Sequence, residues 1–137
     1  MSKKRRINAA IAIIEHNGQI LICQRHQRDS FGGLWEFPGG KREAGESWEA
    51  CVRREIHEEV GVTIRDLTTF GWMRHEFPDG VVTFKVFRCA LAEGEPQALD
   101  AQEVRWIHPT ELPHYQFPPA NQELLARLAS VCQRRLI

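Results

Sequence analysis

The chain carries no surplus of either charge: 18 Lys and Arg balance 18 Asp and Glu over 137 residues, for a formal net charge of zero. A protein that holds a nucleic-acid polymer by its phosphates needs a basic excess, so no such partner is expected. A small anion bringing its own metal stays compatible with that balance. Nor does any apolar run approach the roughly 20 residues that cross a bilayer, and no membrane contact is expected. No Cys-x-x-Cys pair occurs among Cys23, Cys51, Cys89 and Cys132, which argues against a zinc site. Cys23 and Cys89 fall in apolar strand-like runs and Cys51 on a helix. They read as small buried hydrophobes in a reducing, cytoplasmic protein. Repeats, linkers and low-complexity stretches are missing as well.

With 42% apolar and 26% charged residues, the length predicts one domain, 1–137, with a core of its own. The opening Lys3-Lys4-Arg5-Arg6 before an apolar run imitates a secretion signal, but Glu15 and His16 end the run early and no cleavage site follows. Residues 1–6 are therefore expected as a flexible basic tail. Residues 7–14 suit a buried strand, Asn17-Gly18 a type I′ turn, and Gln19 to Gln24 the returning strand. A short strand over 34–37 is expected to stop at Pro38-Gly39-Gly40. Ser47 reads as the N-cap of a helix ending near Val60, with Gly61 as its stop. Strand-like segments follow at 62–77, 81–91 and 103–107, then a helix over 120–134. The elements predict an α/β fold, a mixed sheet with helices packed on it.

Glu55, Glu58 and Glu59 stand at i, i+3 and i+4. On a helix they share an arc of roughly 100° and repel by about 0.2–0.5 kcal/mol per pair. Trp48 and Val52 overlap the edge of that arc, so the acids lie along the seam between core and solvent. Carboxylates placed there need partners. A divalent cation bridging to phosphate is a natural one, and Gly39-Gly40 lets the backbone approach it closely.

The spacing Gly40, five residues, Glu46, seven residues, Arg54-Glu55-Ile56-x-Glu58-Glu59-x-Gly61-Val62 resembles the signature of the Nudix hydrolases at every defined position. The resemblance implies a Nudix-type α/β/α sandwich and hydrolysis of a nucleoside diphosphate linkage with Mg²⁺, or Mn²⁺. It implies metal ligation by Glu55, Glu58, Glu59 and the Gly39 carbonyl, and a structural Arg54–Glu46 pair beside Gly40 and Gly61. A later loop acid often joins such a site; Asp100, as a ligand, and Glu103, as a base, both qualify. Glu36-Phe37-Pro38-Gly39-Gly40-Lys41, Phe77-Pro78-Asp79, Gly94-Glu95-Pro96, Trp106 and Phe117-Pro118-Pro119-Ala120-Asn121 extend the match. There the chain is similar to the MutT type within the family, which converts 8-oxo-dGTP to 8-oxo-dGMP and pyrophosphate and so cleans the nucleotide pool.

That similarity implies that Asn121 reads the oxidised guanine edge, an amide offering both donor and acceptor. Arg25, Ser30, Glu36, Phe37, Pro38 and Gly39 would line the same pocket. Each has a plainer reading: Phe37 as core, Asn121 as a helix cap, Arg25 as a surface charge. One departure stands out, since MutT-type chains carry an arginine after the Phe-Pro-Asp turn where this chain has Gly80. His75 and His114 have no assigned role. CTP or another triphosphate, or an ADP-ribose-type nucleotide, are alternative substrates, and a Nudix-fold binding module is the alternative without catalysis. A monomer or weak homodimer is expected.

Overall fold

The structure, a computed structural model, describes residues 4–135, with side chains as far as Val131. Met1 to Lys3 and the side chain of Cys132 lie outside the described residues. Seven strands form one mixed sheet: β1 (Arg5–His16), β2 (Gln19–Gln24), β3 (Trp35–Glu36), β4 (Gly39–Lys41), β5 (Thr63–Phe77), β6 (Gly80–Glu93) and β7 (Glu103–Ile107). Helix α1 is Trp48–Val60 and α2 is Gln122–Arg135, with short 3-10 turns at Pro109–His114 and Pro119–Asn121.

β1 is the spine. It pairs parallel with β6 from Arg5↔Gly80 to Glu15↔Ala90, and antiparallel with β2 and β4 on its other edge. Its alternate residues feed two cores, which explains an apolar run without a polar face. Ala10, Ala12 and Ile14 face Cys51, Val52, Ile56 and Val60 of α1. Ile11 and Ile13 face Leu124 and Leu128 of α2, together with Phe37, Phe117 and Ile107. The result is the expected α/β/α sandwich. Asn17 and Gly18, at φ 50° and 78°, close the β1–β2 hairpin as their types require. Cys23, Cys51 and Cys89 are buried free thiols. Among the described residues no helix is long and apolar enough to cross a membrane.

Two expectations are corrected. Arg5 and Arg6, expected in a basic tail, instead pair with Gly80 and Val81 as the first rungs of β1. Gly39-Gly40 does not break the chain either. Ala9, Ala10 and Ile11 pair with Lys41, Gly40 and Gly39, so this stretch is strand β4 and runs beside α1. Both differences arise from pairing with residues distant in sequence, which local turn chemistry does not report.

Candidate active site

Helix α1 is secured at both ends. The Ser47 hydroxyl accepts from Ala50 N at 3.0 Å, and Gly61, at φ 74°, returns its N–H to the His57 carbonyl at 3.0 Å. With those ends fixed, the three acids grade from core to solvent. Glu59 is buried, the Glu55 side chain is 19% exposed and that of Glu58 60%. The seam position expected from the helical spacing is therefore observed.

Strand β4 meets two of the three. Gly39 N–H donates to Glu59 Oε2 at 3.3 Å. A Cβ at Gly40 would fall 2.1 Å from Glu55 Oε2, so glycine makes room for that carboxylate. Arg54 organises the remainder. Its Nε and Nη2 grip Glu46 at 2.7 and 2.9 Å, while Nη1 donates to Glu55 at 2.9 Å and Glu58 at 3.2 Å. The Arg54 hydrogen bonds, with Glu43 N–H behind them, pull the Glu46 carboxyl down to about 2. The Arg54–Glu46 pair expected to fasten the loop to the helix is thus in place.

Charge in the interior runs the other way. Burial, then Glu36, pushes the Glu59 carboxyl up to about 8 against the single opposing Gly39 N–H. Burial also raises Glu36 although Arg25 pairs with it at 2.8 Å, and it raises the Cys23 thiol beside Glu59. Among the described residues no three His, Cys, Asp or Glu side chains converge as a ready-made metal cage. Arg54 occupies the outer oxygens of Glu55 and Glu58, while Glu59 is turned inward to Gly39. The donors nonetheless fit a hard divalent cation. They are carboxylate oxygens at a glycine pair, and a carboxyl held protonated by burial is one that a cation would ionise.

The two candidate loop acids part company. Glu103 forms an ion pair with Arg105. Asp100 hangs its backbone N–H on the Glu59 carbonyl at 3.3 Å, and its charge raises the pKa of both Glu59 and Glu36. Asp100 is the loop acid whose charge reaches Glu59.

Beside the acids opens a cleft of about 470 Å³. Arg25, Ser30, Glu36, Phe37, Gly39 and Asn121 line it, as the resemblance implies. Pro38 is not among its lining residues, and its carbonyl accepts from Ala12 N at 2.9 Å. Phe37 is both core and wall, 5.3 Å from the Phe117 ring. Arg25 is no loose surface charge, since it ties Ser30 O at 2.7 Å to Glu36 at 2.8 Å. The Asn121 turn is closed backbone to backbone, N–H to Pro118 O at 3.0 Å, which leaves its amide to the cleft. Ile7, Ala9, Val82 and Phe84 also line the space. The alternation of β1 and β6 carried that signal, but choosing the cleft face required the sheet order. Phe31 and Phe77 complete the aromatic lining. His75 and His114 are not among the residues that line the cleft. At Gly80 a Cβ would meet the Arg5 carbonyl at 2.1 Å, so the β1–β6 pairing leaves no room for a side chain there.

A larger apolar hollow of about 850 Å³ lies between the Pro109–His114 turn and α2, and none of the acids lines it.

Comparison with known proteins identifies the family. Residues 9–127 match the NUDIX domain family. The chain is 36% identical over 126 residues to an 8-oxo-dGTP diphosphatase of Haemophilus influenzae, covering 91% of this chain and 93% of that protein. It is 33% identical over 119 residues to a CTP pyrophosphohydrolase of Escherichia coli, covering 87% and 88% of the two chains. Among solved structures, a MutT from work on Aliivibrio salmonicida and Vibrio cholerae superposes with a TM-score of 0.78 at 32% identity. That match covers 92% of this chain and 98% of the other. With the acid row and the paired glycines both located on the matched segment, the chain belongs to the Nudix hydrolases and stands close to the MutT type.

Proposed function

We propose that this Nudix pyrophosphohydrolase acts on 8-oxo-dGTP, releasing 8-oxo-dGMP and pyrophosphate with Mg²⁺ as cofactor. The observation that carries the reading is a juxtaposition. Glu55 and Glu59 meet the Gly39-Gly40 strand at the margin of a cleft that also holds the amide of Asn121. Phosphate chemistry and purine recognition thereby share one wall.

Glu55, Glu59 and the Gly39 carbonyl would hold the cation, with Glu58 and Asp100 close by. When bound, Mg²⁺ offsets charge on the diphosphate and lowers the pKa of a water. The chain's own residues do the rest. Arg54 and Glu46 fix the loop against α1 so that the glycines stay under the acids. The Asn121 amide reads the purine edge, and Phe37 and Phe84 supply apolar walls that exclude water. A helix carboxylate or Asp100 takes the proton of the attacking water; Glu103, bound to Arg105, is set aside. Attack at the β-phosphorus breaks its bond to the bridging oxygen, which leaves with the nucleoside monophosphate. The water oxygen therefore ends in pyrophosphate. Turnover of 8-oxo-dGTP in ¹⁸O-water should place the label in pyrophosphate. Label in 8-oxo-dGMP, or release of inorganic phosphate, would contradict the scheme.

A second reading is CTP hydrolysis, supported by the similarity to the Escherichia coli CTP pyrophosphohydrolase.

A further inference from the structure

We propose that Phe31 is the aromatic face of the base subsite, a specificity-determining residue that stacks on the nucleobase. The proposal rests on the nucleotide-hydrolase reading above. Three non-glycine residues among those described adopt left-handed backbone: Asn17 at φ 50°, Phe31 at 56° and Asp66 at 57°. Asn and Asp take that conformation at little cost, because their short polar side chains bond locally, whereas an aromatic residue does not. Phe31 is also 56% exposed. Trp72, another exposed aromatic, packs against Trp48 at 5.2 Å and under Lys85, but Phe31 has no ring or cation partner among the described residues. No ring or cation contact of its side chain accounts for the left-handed backbone.

The loop nevertheless holds it there. Leu34 N–H bonds the Phe31 carbonyl at 3.1 Å, and Gly33 N–H bonds the Arg25 carbonyl at 3.0 Å. Arg25 pins the preceding carbonyl, Ser30 O, at 2.7 Å and ties the loop to β3 through Glu36. At Gly32 a Cβ would lie 2.3 Å from Gln27 O, so the turn has no slack. Left-handed backbone held in place by its surroundings, with the ring turned to solvent, is the kind of strain that collects at ligand clamps and active sites. Phe31 lines the same cleft as Phe37, Phe84 and Asn121. An amide reads the edge of a base; its face calls for an aromatic ring.

The test compares Phe31→Ala, Phe31→Leu, Phe31→Trp and Phe31→Gly with the unaltered protein. Calorimetry measures binding of 8-oxo-dGMP and of ribose 5-phosphate, and thermal melting and KM are read alongside. Ala and Leu should weaken 8-oxo-dGMP about tenfold, the scale of one base–aromatic stack, while Trp keeps the affinity. Ribose 5-phosphate should bind all forms alike, KM should rise far more than kcat falls, and the Gly variant should melt no lower than the parent. Unchanged 8-oxo-dGMP affinity in the Ala variant overturns the proposal. So does full affinity in the Leu variant, which would make the ring a mere apolar cover, or an affinity loss that tracks a drop in Tm. If the unaltered protein binds and hydrolyses no nucleotide, the parent reading falls first; if it does both and the variants match it, Phe31 alone is dismissed.

Discussion

At Glu59 burial and the charge of Glu36 outweigh the one donor the carboxylate has, and the sign of the consequence can be worked out. An unfolded glutamate releases its proton near 4.5, whereas folded Glu59 keeps it up to about 8. Between those values the folded state binds more protons, so its stability falls as pH rises and levels off above the folded pKa. Glu59→Gln removes that slope. Without metal, its Tm should match the parent near pH 5 and exceed it by pH 8.5; Mg²⁺ should close the gap in the parent alone. Parallel Tm–pH curves would refute the assignment. Gly40→Ala tests the same site from the strand side. The added methyl meets the flexible end of Glu55. It should cut kcat/KM about 100-fold, the scale of a misplaced catalytic group, while changing Tm by only a few degrees. Far smaller losses of activity would mean that Glu55 is free to work elsewhere. Asn121→Ala should erase preference for the oxidised base while leaving general triphosphate hydrolysis, checked by comparing 8-oxo-dGTP with dGTP.

Among the elements, α1 was legible end to end because its information is local. Ser47, Glu49, the apolar spacing and Gly61 each act within a turn or two, and the helix spans Trp48–Val60 accordingly. Ser47→Ala should cost about 1 kcal/mol in chemical denaturation through loss of the Ala50 cap; no change would mean that the cap bond is not formed in solution. The strands were less transparent. Pro38-Gly39-Gly40 carries every local mark of a chain break, yet β1 recruits the glycines as β4. The helical spacing placed the three acids on one seam but could not foretell that Arg54 would take two of them and Gly39 the third. Asp100 and Glu103 were inseparable in sequence, since only the fold shows that Arg105 claims the second. A loop aromatic such as Phe31 carries no periodic signal; its left-handed backbone and exposure are visible only in three dimensions.

On the scale of the molecule, the two helical layers clamp a sheet whose central strand is apolar on both sides. The cleft is framed by that sheet, by the Arg25–Leu34 loop and by the turn carrying Asn121. Phe87 sits fully buried under α1, so Phe87→Ala should cost about 3–5 kcal/mol of unfolding free energy. The overall account stands on the coupling of the acid seam to a purine-reading cleft. Side-by-side kcat/KM values for 8-oxo-dGTP, dGTP, CTP and ADP-ribose, with Mg²⁺ and pyrophosphate detection, test that coupling most directly. The account predicts 8-oxo-dGTP foremost, with turnover abolished by Glu59→Gln. A preference for CTP or ADP-ribose, or undiminished turnover in that variant, would contradict it.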